Sequence, residues 1–123
     1  MDYAREGYGL EASIADSWLN EDRLVLRLIV ENPGGMDIYL GDAGGVQGNL
    51  TIGETYPVHF QQTRVRAGNA TTVIITIDIS EADLEAIRAA GSADMSLDLK
   101  VIVPDRNLRT RICIEASDME VRT

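Results

Sequence analysis

Apolar and polar residues alternate with a period of two along most of the chain. Within residues 23–31, Leu24, Leu26, Leu28 and Val30 share one face, against Arg23, Val25, Arg27, Ile29 and Glu31. Within residues 72–79, Val73, Ile75, Ile77 and Ile79 oppose Thr72, Ile74, Thr76 and Asp78. Within residues 96–103, Leu97, Leu99, Val101 and Val103 oppose Ser96, Asp98, Lys100 and Ile102. Within residues 109–117, Ile112, Ile114 and Ala116 oppose Arg111, Cys113 and Glu115. A strand sends successive side chains to opposite faces, so each segment reads as a strand with one covered and one wet face, as antiparallel sheets allow. Weaker alternation marks residues 10–16, with Leu10, Ala12 and Ile14 inward, and residues 36–40, 50–52 and 56–60. Glycines such as Gly34, Gly35, Gly44 and Gly45 punctuate these segments as turns do.

One stretch changes period. Ser80 followed by Glu81 and Asp83 reads as a helix N-terminus, with the serine as cap and the acids facing the positive helix end. Leu84 and Ile87 share a helical face, and Gly91 is placed to stop the helix. Two sheets packed face to face are the simplest cover for the inner faces. The expected fold is therefore all-β: a two-sheet antiparallel β-sandwich with one short helix over residues 10–117, an N-terminal tail at 1–9 and a C-terminal tail at 118–123.

A chain of 123 residues is long enough for one self-sufficient core. Its single Phe and single Trp leave that core to Val, Ile and Leu, which favour strands. The net charge of −9 repels phosphate backbones, so nucleic acid is not an expected partner. Cys113 is the only cysteine, and an intrachain disulfide is excluded. The first nine residues carry no apolar stretch of the signal-peptide kind. A cytoplasmic protein is expected, or an extracytoplasmic domain of an anchored protein if the chain is a fragment.

Candidate chemistry is sparse. His59, the only histidine, falls on the outward parity of its strand, and no Gly-x-Ser-x-Gly elbow supplies a nucleophile. Cys113 shares a face with Arg111 and Glu115 and reads as an inert thiol. One His and one Cys do not make a zinc site, and Asp37 and Asp42 lack the spacing of a calcium loop. The glycine-rich residues 41–48 lead into a strand, whereas a phosphate cradle leads into a helix. No catalytic, cofactor-binding or metal-binding residue is assigned, no small-molecule substrate is evident, and a non-catalytic protein is expected. The sharper feature is an edge: Pro57 cannot donate to a ladder, which confines its strand to a sheet edge. Tyr56, Pro57, His59, Gln61 and Gln62 form the candidate edge for a partner strand.

Residues 24–33, ending the strongest strand at Asn32 and Pro33, resemble the strand and Asn-Pro signature of the WHy (water stress and hypersensitive response) domain. That domain defines the atypical, folded late embryogenesis abundant proteins. Residues 65–73 are similar to the family's turn before an alternating strand. Gly34 and Gly35 stand where many members repeat the Asn-Pro pair. The resemblance implies a sandwich similar in build to fibronectin type III and immunoglobulin domains, with Asn32 and Pro33 as a structural motif. It implies no catalytic residues. It suggests a stress-protective domain that shields client proteins during water stress; the alternative is an interaction or spacer module of a larger, membrane-tethered protein.

Overall fold

The alternating segments form two antiparallel sheets and one helix in the computed structural model, which describes residues 8–123. The strands are β1 (Glu11–Asn20), β2 (Arg23–Glu31), β3 (Ile38–Leu40), β4 (Gly48–Ile52), β5 (Glu54–Val58), β6 (Thr63–Val65), β7 (Ala70–Asp78), β8 (Ser92–Val103) and β9 (Leu108–Glu120). Helix α1 (Glu81–Ala90) lies between β7 and β8. One sheet has the order β1-β2-β7. The other is built on β8, which pairs along its length with β9. On its other side β8 pairs first with β4 and then with β3. Beyond these, β5 pairs with β4 and β6 with β3.

The parity read from the sequence is the parity of the core. Leu24, Leu26, Leu28 and Val30 of β2 and Val73, Ile75 and Ile77 of β7 are buried in one cluster with Leu97, Leu99, Val101 and Val103 of β8 and Ile112 and Ile114 of β9. Each such side chain contributes about 1.5–3 kcal/mol when fully covered. This is the β-sandwich the pattern predicts. The helix also follows its signals. Ser80 Oγ accepts from the Asp83 amide at 3.2 Å, and Gly91 in the left-handed region donates its amide to Ile87 O at 2.7 Å. Leu84 and Ile87 are the buried residues of the helix.

The structure departs from the sequence reading at the chain ends and at one short strand. In β1 the register skips between Ile14 and Asp16, so Ala15 is a bulge. The bulge moves the inward parity from Leu10, Ala12 and Ile14 to Ser17 and Leu19, and carries the strand on to Asn20. Residues 118–123 are not a loose tail. β9 runs to Glu120, Val121 is buried, and Arg122 bridges Trp18 in parallel. Ser17 Oγ donates to Glu120 O at 2.7 Å, and Leu19 N donates to Arg122 O at 2.8 Å. The alternation is broken there by a second bulge, in β9, where Ser117 and Asp118 together oppose Asp94; Asp118 takes a positive φ and its amide binds Asp94 Oδ1. The expected tail at 1–9 lies mostly outside the described residues; Tyr8 packs against the core and Leu10 is buried. β6 falls where no strand was expected, because three residues are too few to show a period.

Candidate functional site

Asn32 follows directly on β2 and is 1% exposed. Its Nδ2 donates to Met36 O at 2.7 Å and to Val65 O at 2.9 Å, while its Oδ1 accepts from Gly34 N at 3.1 Å. Its backbone bonds Asn69 O and Gly68 N. One side chain thus ties the β2–β3 loop and β6 together. Its donors and acceptor are all used within the fold, so the Asn32-Pro33 motif is a structural knot. Pro33 itself is exposed.

The edge expected at residues 56–62 is only partly an edge strand. β5 is an outer strand of its sheet, as Pro57 requires, but it ends at Val58. His59 and Gln61 lie exposed in the connection to β6, and Gln62 Nε2 donates back to Gly41 O at 3.2 Å. Tyr56 is also committed. Its hydroxyl accepts from Ser80 N at 2.9 Å and donates to Asp83 Oδ2, which also accepts from Glu54 N at 3.0 Å. Burial, and then the bond to Asp83, push the Tyr56 phenol above its ordinary pKa. The sequence reading therefore chose a guarded edge: short, proline-bearing and locked to α1.

The other sheet edges are guarded too, with one exception. β1 has its bulge and is bridged by Arg122. β6 has three residues, one of them Arg64. β9 carries Arg109, Arg111 and Glu115 and binds Ser17 through Glu120. β7 is nine residues long, pairs with β2 in unbroken register, and has no second strand neighbour among the described residues. From Thr71 to Ile77 it has no charge and no proline. Its wet face carries Ile74, a large apolar side chain 49% exposed.

A second feature lies on the outer face of β8 and β9. Lys100, Ile102, Arg109, Thr110 and Arg111 with Asp42 line an open hollow of about 550 Å³. Lys100 stands directly opposite Arg111, a like-charge pair that weakens a ladder. Arg109 reaches Asp42 at 3.1 Å and Arg111 reaches Asp98 at 2.9 Å. The Asp42 carboxyl is held below its ordinary pKa, first by the Ala43 amide and then by Arg109. Cys113 is exposed near here, with Sγ 3.9 Å from Ser96 Oγ. The structure brings neither His59 nor Asp37 to it: Asp37 binds Arg64 and the Ala67 amide elsewhere.

No family model matches the chain, and no curated protein does. Solved structures similar to it include two with low identity. One is PapD-like domain 7, an ASH domain, of human CEP192, at 12% identity and a TM-score of 0.39, covering 91% of this chain and 87% of that one. The other is a putative late embryogenesis abundant protein, at 14% identity and a TM-score of 0.36, covering 89% of this chain and 72% of that one. No helix among the described residues is long and apolar enough to cross a membrane.

Sequence reasoning had β7 as a strand but not as an edge. Strand order depends on contacts between segments far apart in the chain, and a period of two is silent about them. The legible signal was negative: seven consecutive residues without charge or proline in a chain that is one-quarter charged.

Proposed function

We propose that this domain is a non-catalytic protein-interaction module that recognises an extended segment by adding it to β7. The observation that carries the reading is the edge of β7, long, regular, uncharged from Thr71 to Ile77 and, among the described residues, unpaired beside four guarded edges. Strand addition gives affinity through main-chain hydrogen bonds and selectivity through alternate side chains. Here the selective position is Ile74, which favours a β-branched or aromatic residue opposite it. Peptides selected by display on the whole domain test the proposal. Bound peptide should slow amide exchange at Thr72, Ile74 and Thr76. Binding that instead perturbs Lys100, Arg109 and Arg111 would move recognition to the hollow.

A second reading is favoured by the exposed carboxylates of Glu11, Glu31, Glu81, Glu85, Asp105 and Glu115 on a chain of net charge −9. Such a surface resists self-adhesion and stays hydrated. With the resemblance to the WHy domain, it supports a stress-protective role for the same sandwich. A labile enzyme dried with the domain should then recover more activity than one dried with an acidic protein of equal size and charge. Equal recovery would reduce the effect to charge and crowding.

A further inference from the structure

We infer that the strand completing the β7 edge belongs to a second copy of this chain, antiparallel and centred on a two-fold axis at Ile74; the inference rests on the interaction reading above. The backbone bonds set which β7 residues face the free edge. Asn32 N donates to Asn69 O at 2.9 Å, one step beyond the Glu31–Ala70 pair of the β2–β7 ladder. Directly hydrogen-bonded pairs alternate along an antiparallel ladder. The bonded partners of β2 are therefore Thr71, Val73, Ile75 and Ile77, and the amides and carbonyls of Thr72, Ile74 and Thr76 point to the open side.

That parity suits self-pairing. In a two-fold register about Ile74, Ile74 meets Ile74 of the copy, and Thr72 meets Thr76 of the copy. These are the residues with free backbone groups, and each directly bonded pair exchanges two bonds. It is also the register that pairs the whole strand from Ala70 to Asp78, whereas any slip leaves one end hanging. On the wet face the two Ile74 side chains cover one another between Thr–Thr pairs, both favourable cross-strand combinations. On the other face Val73 meets Ile75, so the core parity continues across the junction.

Charge and closure point the same way. Each copy carries −9, yet no charge lies between Thr71 and Ile77 to be forced against its like. Asp78 comes opposite the uncharged Ala70 of the copy, and its own charge is met within the chain by Arg23 at 2.9 Å. The pairing uses both open edges at once, and the far edge of each sheet is held by Arg122 against β1. An isologous contact of this kind closes on itself and does not propagate into fibres. This is how an unguarded edge is tolerated.

The test is sedimentation equilibrium on the whole chain at rising salt. The copies repel through their net charge, so dimer should gain several-fold in affinity between about 10 mM and about 150 mM salt, as the screening length falls from about 30 Å to about 8 Å. Ile74→Pro and Thr76→Pro each remove an edge amide that β2 does not use, and edge strands accept proline there. Both variants should keep the circular dichroism spectrum and be monomeric. In a Cys113→Ser background, Ile74→Cys should cross-link to dimer on oxidation, since directly bonded pairs place Cα atoms about 5.5 Å apart, within disulfide reach. Thr72→Cys should not, because its opposite is Thr76. A chain that stays monomeric at every salt, yet binds selected peptides at Thr72, Ile74 and Thr76, overturns the self-pairing and leaves the interaction module standing. A dimer unmoved by both prolines overturns the self-pairing, and peptides that then bind both proline variants unchanged overturn the module reading as well.

Discussion

The Tyr56 hydroxyl donates to Asp83 Oδ2 at 2.5 Å and so fastens the outer strand β5 to the first turn of α1. The same hydroxyl accepts the Ser80 amide, which in many helices is bonded by the side chain at the third helical position. Asp83 occupies that position but points to β5, and Tyr56 stands in for it. Gly53 makes the arrangement fit: with φ +109°, its backbone passes so close to Asp83 that a Cβ would overlap the carboxylate.

Tyr56→Phe should therefore lower stability by about 1–3 kcal/mol, the range for leaving partly buried partners unmet. It should also change the alkaline limb. The folded state raises the Tyr56 pKa, through burial first and then the bond to Asp83. Such a group stabilises fully below the unfolded tyrosine value, about pH 10, and that stability is lost as pH rises through the raised folded value. Urea unfolding from about pH 8 upward should show wild-type stability falling above about pH 10, with a flatter course in Tyr56→Phe.

Asn32 should be the most sensitive polar position. Asn32→Ala leaves Met36 O and Val65 O without their donors, and unmet buried groups cost about 1–3 kcal/mol each. Asn32→Asp keeps the size and the Gly34 contact but sets a carboxylate against those two carbonyls, so it should be no milder than Asn32→Ala. Leu28→Ala, from a fully buried position, should cost about 2–5 kcal/mol. Chemical denaturation of the three variants checks the ranking. An Asn32→Asp variant as stable as wild type would contradict the bonds described.

Acid sensitivity should trace in part to Asp37. Its carboxyl is held below the usual range by the Ala67 amide first and by Arg64 next. A depressed carboxylate stabilises above its unfolded pKa and loses that contribution as pH falls through the folded value. Asp37→Asn should flatten stability against pH below about pH 4, the ordinary carboxylate value. A pH series of thermal unfolding on both proteins measures it. An unchanged slope would place the acid dependence on other carboxylates, Asp42 first.

How much of this was legible in the sequence depends on the range of the interaction. β2, β7, β8 and β9 were readable because each repeats its apolar face several times, and α1 because Ser80, Leu84, Ile87 and Gly91 are local signals. The end of β2 at Asn32 was readable too, but not what its amide binds, since Val65 is 33 residues away. The bulge at Ala15 was hidden because an extra residue looks like the end of a period. Gln47, buried with Nε2 on Phe60 O at 2.9 Å and Oε1 on the Asp42 amide, was missed because a polar residue among glycines reads as solvated loop. Pro57 correctly marked an edge, but proline signals the edge that is defended. The open one is recognised only when strand order is known.

Two glycines that look alike in sequence should behave in opposite ways. Gly44 and Gly48 both lie in the glycine-rich stretch between β3 and β4. Gly44 has nothing within 4 Å of where a Cβ would stand, and its φ is not in the left-handed region. Gly44→Ala should be neutral or stabilise by about 0.4–1 kcal/mol, because alanine narrows the unfolded ensemble. Gly48 opens β4 opposite Leu99, where a Cβ would fall on the backbone carbonyl of Asp98. A carbonyl inside β8 cannot turn aside as a side chain can, since β8 is paired on both sides. Gly48→Ala must therefore push β4 away from β8, at a cost of about 1–3 kcal/mol or more. The shift would also strain Gln47, whose carbonyl accepts the Lys100 amide at 2.8 Å. Paired urea titrations should separate the two variants by at least about 1.5 kcal/mol. Equal stabilities would mean that β4 and β8 do not approach as closely as the ladder between Gly48 and Leu99 requires.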